Sequence, residues 1–166
     1  MPVQLTRFSL SYDPAEDRIA WDAEAAGGAL VRLWLTQRLC RELVAALTPR
    51  LPRPAATAPA GREAAVQSWE QAAAMASFGK TPGVTYTAEA VSGLVRTVHI
   101  NPSPQNVTLV FEASEGEPAA ITLDAVALRQ MLAILRQLHA GAGWPLETFP
   151  AWVAEPPSTD SAAALN

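Results

Sequence analysis

The chain has 166 residues, of which 49% are apolar and 17% are charged, as expected for a single globular domain with one hydrophobic core. No apolar run approaches the roughly 18–20 residues of a membrane-spanning helix, and the N-terminus alternates like a strand rather than forming a signal peptide. A soluble, cytoplasmic protein is therefore expected. The formal charge of −4 gives no reason to expect nucleic-acid binding from overall electrostatics.

Three strands joined by short turns are predicted at the N-terminal end. Residues 3–12 alternate, but the apolar positions change parity, and a β-bulge near Thr6-Arg7 would restore a common face. Alternating apolar residues over 19–23 and 31–35 predict the second and third strands.

The third strand leads directly into a helix in the stretch LWLTQRL. Thr36 is the predicted N-cap, because its side-chain oxygen can accept an unpaired N–H group of the first turn. Residues 51–61 are rich in Pro and Ala and predict an exposed loop. A second helix is expected from near Arg62. Its predicted buried stripe consists of Val66, Trp69, Ala73 and Ala76.

A second group of strands follows the break at Thr81-Pro82-Gly83. Four strands are predicted, beginning with a short one at Val84 and Tyr86. The last, in ITLDAVALRQ, runs into a third helix with Asp124 as its predicted N-cap. Gly141 and Gly143 are expected to end that helix.

The predicted order βββ-αα-ββββ-α favours an α+β fold with an antiparallel sheet, a small sandwich or a barrel, the helical pair being inserted between the strand groups. A single domain is expected over residues 1–144. Residues 145–166 form a Pro/Ala-rich tail, of which 156–166 are expected to be disordered.

No pattern of catalytic or metal-binding residues is present. The two His residues and the single Cys lie apart in the sequence, so no metal and no cofactor is expected. Cys40 lies on or beside the apolar face of the first helix, near its start and between two Arg, so both an inert and a reactive thiol remain possible. His139 lies at a helix C-terminus, where the helix dipole favours the protonated imidazole.

Arginine is concentrated in one region of the chain, opposed by Glu42 alone. This concentration fits a solvated helix face, a contact with a protein or acidic peptide, or a phosphate-binding patch. The residues are Arg32, Arg38, Arg41, Arg50 and Arg53.

Three aromatic residues are further candidates for a contact surface. Trp34 has the opposite parity to Val31 and Leu33, so it faces solvent, a helix or a partner. Phe149 and Trp152 in the tail either pack on their own domain or anchor it in another chain.

The element order and the two strand-to-helix joints LWLTQRL and ITLDAVALRQ resemble the head domains of the XLF and centriole-cartwheel superfamily. This resemblance covers roughly residues 3–140 and implies a dimerising scaffold rather than an enzyme. The closing helix is expected to end at residues 141–143, so a long coiled-coil stalk is not implied, and no functional residues are carried over.

The leading hypothesis is therefore a non-catalytic bacterial interaction or scaffold module that self-associates or binds a protein partner. A nucleic-acid-associated accessory protein using the Arg32–Arg53 patch is the alternative. A small enzyme is the second alternative, and it would need a pocket that brings acids together with His99 or Cys40.

Overall fold

The computed structural model describes residues 1–52, 60–78 and 83–154, in which six strands close into a barrel accompanied by four helices. Arg53 and residues 155–166 lie outside the described residues. The strands are Val3–Asp13 (β1), Arg18–Ala25 (β2), Leu30–Leu35 (β3), Val91–Pro102 (β4), Asn106–Ala113 (β5) and Ala119–Asp124 (β6). The helices are Gln37–Leu47 (α1), Ala60–Ala76 (α2), Ala125–Ala142 (α3) and Ala151–Ala154 (α4), with a 3-10 turn at Thr48–Arg50.

The α+β class and the small barrel are confirmed, but the predicted group of four strands is wrong. The described part of the second group has three strands, since residues 83–90 contain none. The strand that pairs with β3 explains why the fourth strand is absent. β3 pairs directly with β4, Val31 opposite Val91 and Trp34 opposite Leu94, which leaves no place for a strand between them.

The barrel contains both antiparallel and parallel pairs of strands. Within each group of three, neighbouring strands are antiparallel. The two groups meet in parallel pairs, β3 with β4 and β6 with β1. A parallel pair needs a crossover connection, and α1 and α2 provide it between β3 and β4. An all-antiparallel sheet is therefore excluded.

The barrel interior is filled by apolar side chains from all six strands and from one face each of α1 and α3. Trp21 and Phe111, both fully buried, lie 4.8 Å apart at their ring centroids. Phe8 also stacks on Trp21, with ring centroids 4.4 Å apart. These three rings join β1, β2 and β5 in a single cluster.

Both predicted helix caps are confirmed. Thr36 Oγ1 accepts a hydrogen bond from the Leu39 N–H at 3.2 Å, and Asp124 Oδ1 accepts one from the Ala127 N–H at 2.8 Å. The predicted bulge is present as a register shift between Leu5 and Arg7. At the other end of α3, Gly143 adopts a left-handed conformation with φ of 70° that ends the helix.

The two halves of the barrel repeat one βββα unit. β1 and β4 each carry one bulge near their start, between Leu5 and Arg7 and between Val95 and Thr97. From β2 onward, buried residues of the first half match buried residues of the second at one constant spacing in the sequence. The matching pairs are Ile19 with Val107, Trp21 with Leu109, Ala23 with Phe111, Leu33 with Ile121, Leu35 with Leu123, Cys40 with Leu128, Leu43 with Met131, Val44 with Leu132, and Leu47 with Leu135.

The predicted buried stripe of α2 is wrong. Trp69 is 73% exposed, and Ala73 and Ala76 are exposed as well. The buried residues are instead Gln67, Gln71 and Ala74. Polar side chains can face inward here because α3 supplies hydrogen-bonding partners for them, which the periodicity of α2 alone does not reveal.

Candidate functional site

A cavity of about 610 Å³ lies between β1, β6 and α3, and its lining carries no obvious catalytic group. Side chains such as Leu5, Leu123 and Met131 make it mainly apolar. Among the described lining residues there is no Asp, Glu, His or Cys. Its polar groups are already engaged, as when Ser9 Oγ accepts from the Val84 N–H at 2.7 Å and Gln130 Nε2 donates to the Ala74 carbonyl at 2.8 Å. We call this cavity the first groove.

The described residues bring together no group of three His, Cys, Asp or Glu side chains that could hold a metal ion. His99 lies exposed on β4 and its Nε2 pairs with Glu112 Oε1 at 2.9 Å. Cys40 is fully buried, and this burial raises the pKa of its thiol to about 12. A thiol in this environment stays protonated at neutral pH and behaves as a small apolar group.

Arg32 and Trp34 contribute to the structure of the barrel wall. Arg32 donates two hydrogen bonds to the Asp22 carboxylate, at 2.6 and 2.7 Å, and the first cause of its raised pKa is this contact. Its guanidinium lies 3.8 Å from the Tyr86 ring centroid and 5.1 Å from that of Trp34. Trp34 Nε1 donates to Ser92 Oγ at 2.9 Å. These contacts tie β2, β3 and β4 together on their outer side.

The remaining arginines of the predicted patch lie at the surface. Arg38 pairs with Glu42 at 2.9 Å, and the hydrogen bond between them raises the pKa of Arg38. Arg41 and Arg50 are exposed. With Arg32 neutralised by Asp22 and Arg38 by Glu42, the positive charge of this region is smaller than its composition indicates.

The tail aromatics pack on their own chain. Phe149 is 8% exposed, and its ring meets His139 edge-on at a centroid distance of 5.0 Å. Trp152 is half-buried and lies 5.3 Å from the Arg129 guanidinium. Trp144 Nε1 donates to Asp17 Oδ1 at 3.0 Å, which fixes this segment to the turn between β1 and β2. The part of the tail up to Val153 therefore belongs to the hydrophobic core.

A buried arginine on α3 organises the polar face of α2. Arg129 is 2% exposed and donates to Gln67 Oε1 at 2.6 Å and to Glu70 Oε2 at 2.8 Å. Its own carbonyl accepts from Gln71 Nε2 at 2.9 Å. Burial is the main cause that lowers the pKa of Arg129, and Glu70 opposes it. The signal in the sequence is a charged residue between the core positions 128 and 131 of α3.

The opposite side of α2 is apolar and open to solvent. We call it the outward stripe, and it consists of Ala65, Trp69, Ala73 and Ala76, all of them exposed. An indole that is 73% exposed is uncommon, because tryptophan is normally among the well-buried residues. Trp69, Ala73 and Ala76 belong to the stripe that the sequence predicts as buried, whereas Ala65 does not.

Comparisons with protein-family models, with curated proteins and with solved structures found no match to this chain. None of the helices in the described residues is both long enough and apolar enough to cross a membrane.

Proposed function

We propose that this chain is a non-catalytic protein-interaction module that self-associates through the outward stripe of α2. The exposure of Trp69 carries the proposal. Trp69 lies between alanines at i−4, i+4 and i+7, which allow another helix to approach closely. The inward face of α2 is already satisfied by Arg129, so turning the helix to bury Trp69 would leave this buried arginine without its partners.

The size of the indole supports a contact of useful strength. An exposed Trp offers roughly 150 Å² of surface, which at about 25 cal/mol per Å² is about 4 kcal/mol if fully buried. Two symmetry-related copies would each contribute one such residue across a two-fold interface. The entropy lost on association opposes this gain, so a weak, concentration-dependent dimer is expected.

A dimerising scaffold is also what the resemblance to the XLF and centriole-cartwheel head domains implies. The nucleic-acid alternative has less support, because Asp22 and Glu42 neutralise two of the arginines on which it depends. A titration with DNA and RNA at low salt distinguishes the two, since phosphate contacts give an affinity that falls steeply with added salt.

Sedimentation velocity over a range of concentrations tests self-association. We expect the wild-type chain to move from monomer to dimer as its concentration rises, and Trp69→Glu to remain monomeric because each charge would have to be buried in the interface.

The matched control is Val126→Glu, which replaces an exposed apolar residue on α3 and is expected to leave the dimer intact. A wild-type chain that stays monomeric throughout contradicts self-association. Equal loss of dimer in both variants contradicts the assignment to the outward stripe.

A further inference from the structure

The repeated βββα unit creates a second groove in the position equivalent to the first. In the first half, β1 pairs with β6 only at Val3 and Gln4, before the bulge of β1. The first groove lies between β1 and α3. In the second half, β4 pairs with β3 only as far as Leu94. A groove lies between the rest of β4 and α1. This second groove has a volume of about 280 Å³.

The first groove is bordered by residues that follow α2 in the chain. Val84, from the non-helical segment after residue 82, is 7% exposed and donates its backbone N–H to Ser9 Oγ on β1. Phe78, at the end of α2, also lines this groove. Phe78 and Val84 therefore lie beside β1, on the border of the first groove.

The second groove has a comparable apolar floor and is bordered by β4 and α1 alone among the described residues. Val98 and Ile100 of β4 are half-buried, as are the equivalent Phe8 and Leu10 of β1. Side chains of α1 complete the floor. They are Leu39, Leu43 and Ala46.

β4 presents free backbone groups to this groove. The Ser103 N–H donates to the Asn106 carbonyl across the hairpin, which makes 103 and 106 a hydrogen-bonded pair. Alternation in an antiparallel ladder then directs the N–H and C=O groups of Val98 and Ile100 away from β5. In the described part of the chain these groups face no other strand. An added strand could bond to them.

The rim of the groove favours a negatively charged occupant. Arg38 and Arg96 lie on the rim together with Glu42. Glu42 pairs with Arg38, while the exposed Arg96 has no ion pair within the described residues. A carboxylate on the occupant would complement Arg96.

We propose that the second groove binds an extended segment of a partner protein, which adds to the edge of β4, places alternate apolar side chains against α1 and offers a carboxylate to Arg96. This site is separate from the outward stripe of α2 and does not depend on self-association.

A phage-displayed library of random peptides of about nine residues, the length of an ordinary strand, is the probe for the full-length chain. We expect enrichment of sequences in which apolar residues alternate and an acid is present. Binding of the most enriched peptide is then measured by fluorescence anisotropy with the wild-type chain and four variants.

Two variants alter the second groove. Ala46→Glu places a charge on its apolar floor, and Ile100→Pro removes an N–H that faces the groove while keeping the ladder to β5. We expect each to weaken binding at least about tenfold. Ala45→Glu, at an exposed position of α1 outside the groove lining, and Trp69→Glu are expected to change it less than about twofold.

Circular dichroism shows which variants remain folded. If Ile100→Pro does not fold, the test rests on the peptide affinities of the neighbouring surface variants Ala46→Glu and Ala45→Glu, of which only the first should bind more weakly. The proposal is overturned if no sequence is enriched, if binding survives Ala46→Glu, or if it is lost in Trp69→Glu while the groove variants retain it.

Discussion

At the scale of single residues, burial shifts the pKa of two groups, the Cys40 thiol and the His139 imidazole. Cys40 lies near a helix start and between two arginines, but burial raises the pKa of its thiol rather than lowering it. For His139, the helix dipole favours the charged form, yet the side chain is 1% exposed between Trp144 and Phe149. Burial is the main cause that lowers the pKa of His139, and the hydrogen bond between its Nδ1 and the Leu135 carbonyl opposes it.

The lowered pKa of His139 predicts a pH-dependent stability. In the unfolded chain this imidazole titrates near its ordinary pKa of 6.5, whereas in the folded chain it takes up a proton only at lower pH. Between the two pKa values the unfolded state binds more protons, so the free energy of unfolding rises with pH. The contribution is fully present above pH 6.5 and is lost as the pH falls towards the folded pKa.

Urea unfolding at a series of pH values between about 5 and 8 measures this effect, which lies in the range where histidine titrates. We expect His139→Phe to flatten the dependence, since it keeps an aromatic ring and removes the titrating group. His99→Gln is the matched control, because that histidine is exposed. If the dependence is unchanged in His139→Phe, another group is responsible.

At the scale of elements, local patterns predict the six strands of the barrel but also one at Val84 and Tyr86 that is absent, and they do not always predict the face that a helix buries. The caps at Thr36 and Asp124 and the bulge after Leu5 are local features, and the sequence predicts them correctly. The buried face of α2 depends on Arg129, which is distant in sequence and pairs with Gln67. The periodicity of a helix shows on which face its apolar residues lie, but not which element packs against that face.

The cap at Asp124 has a defined expected contribution. We expect Asp124→Ala to lower the free energy of unfolding by about 1 kcal/mol, because the Ala127 N–H then loses its acceptor at the start of α3. Asp124→Asn keeps an acceptor oxygen in the same place and should retain most of the stability. Urea unfolding of both variants measures the difference, and an Asn variant as unstable as the Ala variant would argue against a capping role.

At the scale of the whole molecule, the barrel is assembled from two similar halves, and this could be recognised only in part from the sequence. The two strand-to-helix joints are visible as patterns that end in Thr36 and Asp124. Which strands meet is not, because the pairing of Val31 with Val91 and of Val3 with Ala119 links residues far apart in the chain. The surroundings of Arg32 and Trp34 could not be predicted for the same reason, since Tyr86 and Ser92, which contact them, come from the other half.

The two halves are expected to reassemble when the chain is divided between them. Fragments 1–55 and 56–166 each contain one complete βββα unit, and the division falls outside every described strand and helix. Hydrogen bonds between the halves, such as that from Trp34 Nε1 to Ser92 Oγ, must form again on mixing. Equimolar mixing should restore the circular dichroism spectrum and the elution volume of the intact chain. A division between residues 109 and 110, within β5, is the control and should not reassemble. If fragments 1–55 and 56–166 do not associate, the expectation that each half is a separate structural unit is wrong.

Closure of the ring also has a consequence for how the chain folds as it is synthesised. Pairing of Val3 with Ala119 and of Gln4 with Ala120 joins β1 to β6, and β1 leaves the ribosome long before β6 is synthesised. Until then, the first three strands form a sheet whose two outer edges are unpaired, which is the kind of intermediate that pairs with other chains. Such long-range closure slows folding relative to proteins with local contacts. Pairing of β1 with β6 is therefore expected late in folding. The chain should need chaperones mainly before this pairing forms.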